Sequence, residues 1–103
     1  MAYALTLSAC PDRESAVRIA KLLVVERLAA CVQQLPIEST YHWKDEVVTG
    51  TEVLLLIKSK AEHFEQISTL IQANHDYELP EIIQIPITDG LPGYLRWIDD
   101  CTR

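Results

Sequence analysis

The run His75-Asp76-Tyr77-Glu78 sets an imidazole beside two carboxylates. Imidazole suits Cu2+, Ni2+ and Zn2+, and carboxylates add charge, which makes His75 a candidate metal ligand. The competing reading is a helix end, where a protonated imidazole sits favourably near the C-terminus. The other soft donors are Cys10, Cys31 and Cys101. Their odd number and wide spacing imply no disulfide framework, and free thiols fit a reducing cytosol. Cys10 precedes Pro11 at an expected strand end, where it should be exposed and open to soft-metal capture. Cys31 has three readings: a thiolate for copper, a nucleophile, or a small apolar residue that packs in its strand with a raised pKa. Cys101 is read as structural. The metal candidates are therefore His75, Cys10 and Cys31.

A second constellation is aromatic. Tyr41 and Trp43 are two apart on one strand and project from the same face. With Tyr77, Lys58 and Glu78 they could line a cleft between subunits that receives a small ligand, and Lys58 and Lys60 would offer charge to an anion. Packing between subunits explains the same aromatics. Enzyme templates fare poorly. Gly occurs only at positions 50, 90 and 93, so there is no phosphate-cradling loop, and no HExxH, GxSxG or CxxC is present. No catalytic residue is assigned, and the chain is not read as an enzyme.

Composition sets the outer limits. The 103 residues make one domain, 1–103, and 49% hydrophobic content is that of a globular protein. A net charge of −6 argues against nucleic acid or an anionic membrane as the main partner, because both need clustered Lys and Arg. No apolar run is long enough to span a membrane. Met1 leads straight into a strand-like pattern without a basic n-region, so no signal peptide is expected and the chain is expected in the cytoplasm.

These candidates need elements to hold them. Residues 2–9 alternate, with Tyr3, Leu5 and Leu7 pointing one way and Thr6 and Ser8 the other, as in a half-buried strand. Asp12 suits a helix N-cap, followed by an apolar stripe of Ala16, Ile19, Ala20, Leu23 and Val24, with an end near Arg27. Two long arms follow, about Ala29 to Trp43 and Glu46 to Lys60, joined by a turn at Lys44-Asp45. Asp tolerates the positive φ that a two-residue hairpin loop requires. Each arm exceeds what one small domain can cover, so either it bends, as at Pro36, or its tip pairs with another copy. Val53 to Ile57 is apolar on both faces. A second amphipathic helix spans 62–73, Ile82 to Ile87 make a last strand marked as an edge by Pro86, and a short helix carrying Tyr94, Ile98 and Cys101 closes the chain. The order β-α-β-β-α-β is the ferredoxin-like α+β sandwich with an extra C-terminal helix, both main helices lying on one sheet face. The opposite face would be an apolar patch that association covers.

The segments ERLAACVQQLPIESTYHWKDEV, EVLLLIKSK, HDYELPEIIQIPI and GYLRWI together resemble the CutA family of divalent-cation tolerance proteins. The resemblance runs from Pro11-Asp12 to Trp97-Ile98. It implies a homotrimer of ferredoxin-like subunits packed through their long hairpins, cytoplasmic residence, and a link to tolerance of Cu2+ or another divalent cation. The family pattern has Asn at Gln33, Gly at Asp45 and Pro at Asp76. Enterobacterial members place a copper-linked cysteine at Ser8, two residues before Cys10, and a His pair at Asn74-His75. The alternative function is a trimeric signalling-type protein that binds a small metabolite in the inter-subunit cleft, an expectation from fold analogy.

Overall fold

The computed structural model describes residues 2–103 as β1 (Tyr3–Cys10), α1 (Arg13–Val25), β2 (Cys31–Trp43), β3 (Glu46–Lys60), a 3-10 turn (Ala61–His63), α2 (Phe64–Asn74), β4 (Ile83–Ile87) and α3 (Pro92–Cys101). All strand pairs are antiparallel, in the order β2-β3-β1-β4. That is the expected α+β, ferredoxin-like sandwich with its added helix.

Local chemistry explains the boundaries. Asp12 Oδ1 accepts the Ser15 backbone N–H at 2.8 Å and the Ser15 hydroxyl at 2.9 Å, satisfying an orphan donor at the start of α1. At the other end Arg27 takes a left-handed φ of 59°. This lets the Leu28 N–H reach Leu23 O and the Arg27 N–H reach Val24 O, the paired bonds of a Schellman cap. The chain then turns sharply into β2.

The hairpin has an unbroken register from Cys31↔Lys58 to Trp43↔Glu46. Lys44 and Asp45 have φ of 50° and 66°, the two positive values of a type I′ turn, so the turn falls where the residues place it. Pairing continues through Pro36, opposite Val53, without a break. Proline is tolerated there because β2 is an edge strand. Near its tip Tyr41, Trp43 and Val47 are exposed, and the molecule is drawn out to 45 × 25 × 21 Å.

Register and the two-residue alternation of strands divide the sheet into two faces. Ala4, Thr6, Ser8, Cys10, Leu55 and Ile57 lie on one face, and Cys10, Leu55 and Ile57 join Ile19 and Leu23 of α1 and Ile67 and Ile71 of α2 in the core. Leu5, Leu7, Leu35, Leu54, Leu56, Ile83 and Ile85 lie on the other. Here the structure corrects the reading of β1. Its small and polar set, Thr6 and Ser8 included, is fully buried, whereas Leu5 and Leu7 are half-buried on the opposite face. β1 is an inner strand, and short side chains on it let two helices approach closely.

α3 covers one end of that second face. The Tyr3 hydroxyl donates to Asp99 Oδ2, Lys58 Nζ lies 5.5 Å from the centre of the Tyr94 ring, and Lys60 Nζ donates to Arg103 O at 3.3 Å. Ile98 is fully buried beneath the helix. The rest of the face is open, with Leu35, Ile83 and Ile85 each at least 42% exposed.

Candidate functional site

The most organised polar cluster lies where β1 runs out. Cys10↔Val53 is the last rung between β1 and β3, and Glu52 is the next residue of β3. The loop after α2 passes this point. Its first residue, His75, directs Nε2 at Ala9 O, 2.6 Å away, and accepts the Tyr77 backbone N–H on Nδ1 at 3.0 Å. The two rings lie 4.8 Å apart. The Tyr77 hydroxyl donates to Glu52 Oε2 at 3.0 Å. Loss of water around the ring, reinforced by the Glu52 carboxylate, pushes the Tyr77 phenol up to about 12. Arg18 of α1 anchors the same loop, donating to Asn74 O at 3.0 Å and standing 3.8 Å from Asp76.

His75 therefore does close α2, yet its ring is committed to β1 and to its own loop rather than to the helix carbonyls. Glu52 is the member of this cluster that sequence reasoning missed. The available signal was periodicity: Glu52 shares a strand face with Leu54 and Leu56, and a lone carboxylate on an apolar face needs a partner.

The other candidate ligands are dispersed. Cys10 is fully buried on the helix-covered face, not exposed as expected from its place at a strand end. The start of α1 folds over it, and burial pushes its thiol up to about 11. Cys31 is half-buried on the opposite face, paired with Lys58. Val53 and Lys58, which mark the two cysteines on β3, are five residues or about 17 Å apart. No ligand set could draw Cys10 and Cys31 onto one ion. His75 offers no free lone pair while its two hydrogen bonds stand. Among the described residues, no three His, Cys, Asp or Glu side chains gather so as to hold a metal ion. Within one chain, the three candidates do not fit a metal centre.

The residues expected to line a cleft are also spread out. Trp43 faces Glu46 at the hairpin tip, and Lys58 lies twelve residues farther along β3, roughly 40 Å away. Tyr77 and the exposed Glu78 sit between these extremes. Lys58 is occupied by its cation–π contact with Tyr94. One protomer thus holds the parts of such a cleft without assembling it.

Comparison with known proteins places this geometry. Residues 4–101 match the family model described as CutA1 divalent ion tolerance protein. The chain is 44% identical to the divalent-cation tolerance protein CutA of Thermus thermophilus, over 89% of this chain and 90% of that protein. It is 43% identical to the chloroplastic protein CutA of Arabidopsis thaliana over 90% of its own length. There it spans only 52% of the relative, and it spans 65% of the CutA homolog of Danio rerio. Among solved structures, CutA of Xylella fastidiosa superposes with a TM-score of 0.95 at 46% identity, covering 98% of both chains. CutA1 of Oryza sativa gives 0.97 at 36% identity, covering all of this chain and 95% of that one. An elongated hairpin on a ferredoxin-like sandwich, matched along nearly its whole length, makes this chain a member of the CutA1 divalent ion tolerance family.

Proposed function

We propose that the chain serves divalent-cation tolerance, copper included, as a homotrimer in the cytoplasm. The observation that carries the reading is the open sheet face. Leu35, Leu54, Leu56, Ile83 and Ile85 form an apolar surface that a solitary subunit would leave in water, and the exposed hairpin tip extends it. A tip that docks on a different surface of the next copy makes a head-to-tail contact, and such contacts form a ring when the rotation between copies closes. Three is the smallest ring beyond a pair. Three unpaired thiols agree with a reducing compartment.

In this reading the functional unit is the assembly, and the groups that meet a cation or another ligand are completed between copies. Tyr41 and Trp43 of one tip would approach Tyr77 and Glu78 of a neighbour. The metabolite-binding alternative gains no support, because Lys58, its anion contact, is stacked on Tyr94 of its own chain.

Light scattering at low protein concentration tests the assembly, with a mass three times the 11.7 kDa chain expected and a mass of one chain sinking it. Growth of a host lacking its own homologue, with and without this chain, on graded copper tests tolerance. Equal growth in both would remove the copper claim.

A further inference from the structure

We infer that His75, the residue that the HDYELPE segment marks for metal, is a hydrogen-bonded brace between the end of β1 and the hairpin root, and not a ligand. The inference does not depend on which cation the assembly meets. It follows from which partner can donate. The Tyr77 backbone N–H can only donate, so Nδ1 must present its lone pair to it at 3.0 Å. The Ala9 carbonyl can only accept, so Nε2 must carry the proton across the 2.6 Å contact. One tautomer satisfies both partners, and it leaves neither nitrogen free.

A metal at Nδ1 would displace the Tyr77 N–H. A metal at Nε2 would take the proton and confront the Ala9 carbonyl, at a point where β1 is paired with β3 but has run past its last rung with β4. Either change costs a hydrogen bond, and among the described residues no three His, Cys, Asp or Glu side chains gather to repay it; Cys10, next to Ala9, is buried with its thiol pushed up to about 11. The ring instead acts through Tyr77. By fixing the Tyr77 backbone it aims the phenol at Glu52, the first residue of β3 beyond the last rung with β1. From that point outward β3 is paired only with β2, so the brace ties the free part of the hairpin to the body of the domain. His75 is thus a positioning residue, acting on the hairpin through Tyr77 and Glu52.

The test uses the full chain labelled with 15N at histidine. A two-bond 1H–15N correlation spectrum should show His75 with a protonated Nε2 and a bare Nδ1, unchanged by Zn2+ at one ion per subunit. Ultraviolet titration should show the Tyr77 ionisation falling from about 12 toward the ordinary 10.0 in His75→Ala. In His75→Gln, whose amide both donates and accepts, it should be largely restored. A Cu2+ calorimetric isotherm should be the same in both variants as in the unsubstituted chain. The inference is overturned if Zn2+ displaces either His75 nitrogen signal, if Cu2+ binding is lost in the folded His75→Gln protein, or if Tyr77 titrates unchanged in His75→Ala. If the unsubstituted chain gives no saturable Cu2+ isotherm, direct copper binding fails, while the spectrum and the Tyr77 titration still decide the role of His75.

Discussion

Cys10 and Cys31 stand on opposite faces of one sheet, Cys10 beneath the helices and Cys31 on the open side beside Lys58. Their reactivities should separate accordingly. Thiolate is the reactive form, and burial holds the Cys10 thiol at about 11, so almost none is ionised near neutral pH. Iodoacetamide footprinting at pH 8 should leave Cys10 unmodified until the chain unfolds. Cys31 should react in a dissociated subunit and be protected in the proposed trimer, since it lies on the face that such an association would cover. Rapid modification of Cys10 in the folded protein would contradict its burial, and equal rates at Cys31 in both states would contradict that choice of face.

The Tyr77–Glu52 bond makes a pH-dependent contribution whose sign is fixed. The folded phenol ionises at about 12 against an ordinary 10.0. Its stabilising effect is therefore complete below pH 10 and is lost as pH rises toward 12. Glu52→Gln should bring the Tyr77 ionisation down and flatten that part of the stability profile. The ring is partly exposed, so the cost near pH 7 should be small, below about 1 kcal/mol. Guanidinium unfolding of both proteins between pH 7 and pH 11.5 checks this; parallel profiles would mean that the bond contributes nothing.

The backbone was largely legible in the residues, and the side-chain alliances were not. The type I′ turn at Lys44-Asp45, the Asp12 cap and the five apolar residues from Val53 to Ile57 each declare a local preference that the fold honours. Burial of Cys10 was misread because its neighbour Pro11 marks a chain turn, and a turn suggests exposure. Which face of β1 the helices choose is a tertiary matter: they take the small residues, and the larger Leu5 and Leu7 are left for the open side. The partners of His75 were illegible for a plainer reason. One of them is a main-chain carbonyl from a strand 66 residues earlier, and a carbonyl has no signature in sequence.

The hairpin turn keeps two side chains in a conformation that glycine and asparagine adopt more readily. Lys44 and Asp45 both have positive φ, and a left-handed residue with a Cβ carries a cost of roughly 1–2 kcal/mol. Lys44→Asn with Asp45→Gly should relieve part of this, giving about 1 kcal/mol and a higher melting temperature at fixed protein concentration. The gain requires that the tip keep its register, so circular dichroism and solution mass should be unchanged. A lower melting temperature would show that Lys44, whose Nζ lies 5.6 Å from the Trp43 ring centre, or Asp45 makes a contact in the assembly that outweighs the turn.

Beneath the helices, Thr6 keeps a fully buried hydroxyl without a hydrogen-bond partner among the described residues, and Ser8 does the same two residues on. A buried polar group left unpaired costs about 1–3 kcal/mol, because it gave up water for nothing in return. Valine matches the shape of threonine and lacks the hydroxyl, so Thr6→Val should remove the penalty without leaving a cavity. The expected result is a gain of about 1 kcal/mol, seen as a higher guanidinium midpoint with an unchanged slope. Ser8→Ala should also gain, but less, since it removes the hydroxyl and leaves a small void that the neighbouring Leu55 must fill. The two residues are close enough to share surroundings, so the double variant should fall short of the sum. If Thr6→Val instead destabilises, the hydroxyl has a partner in the folded protein, and an internal water bonded to both Thr6 and Ser8 is the arrangement that a high-resolution crystal structure should then reveal.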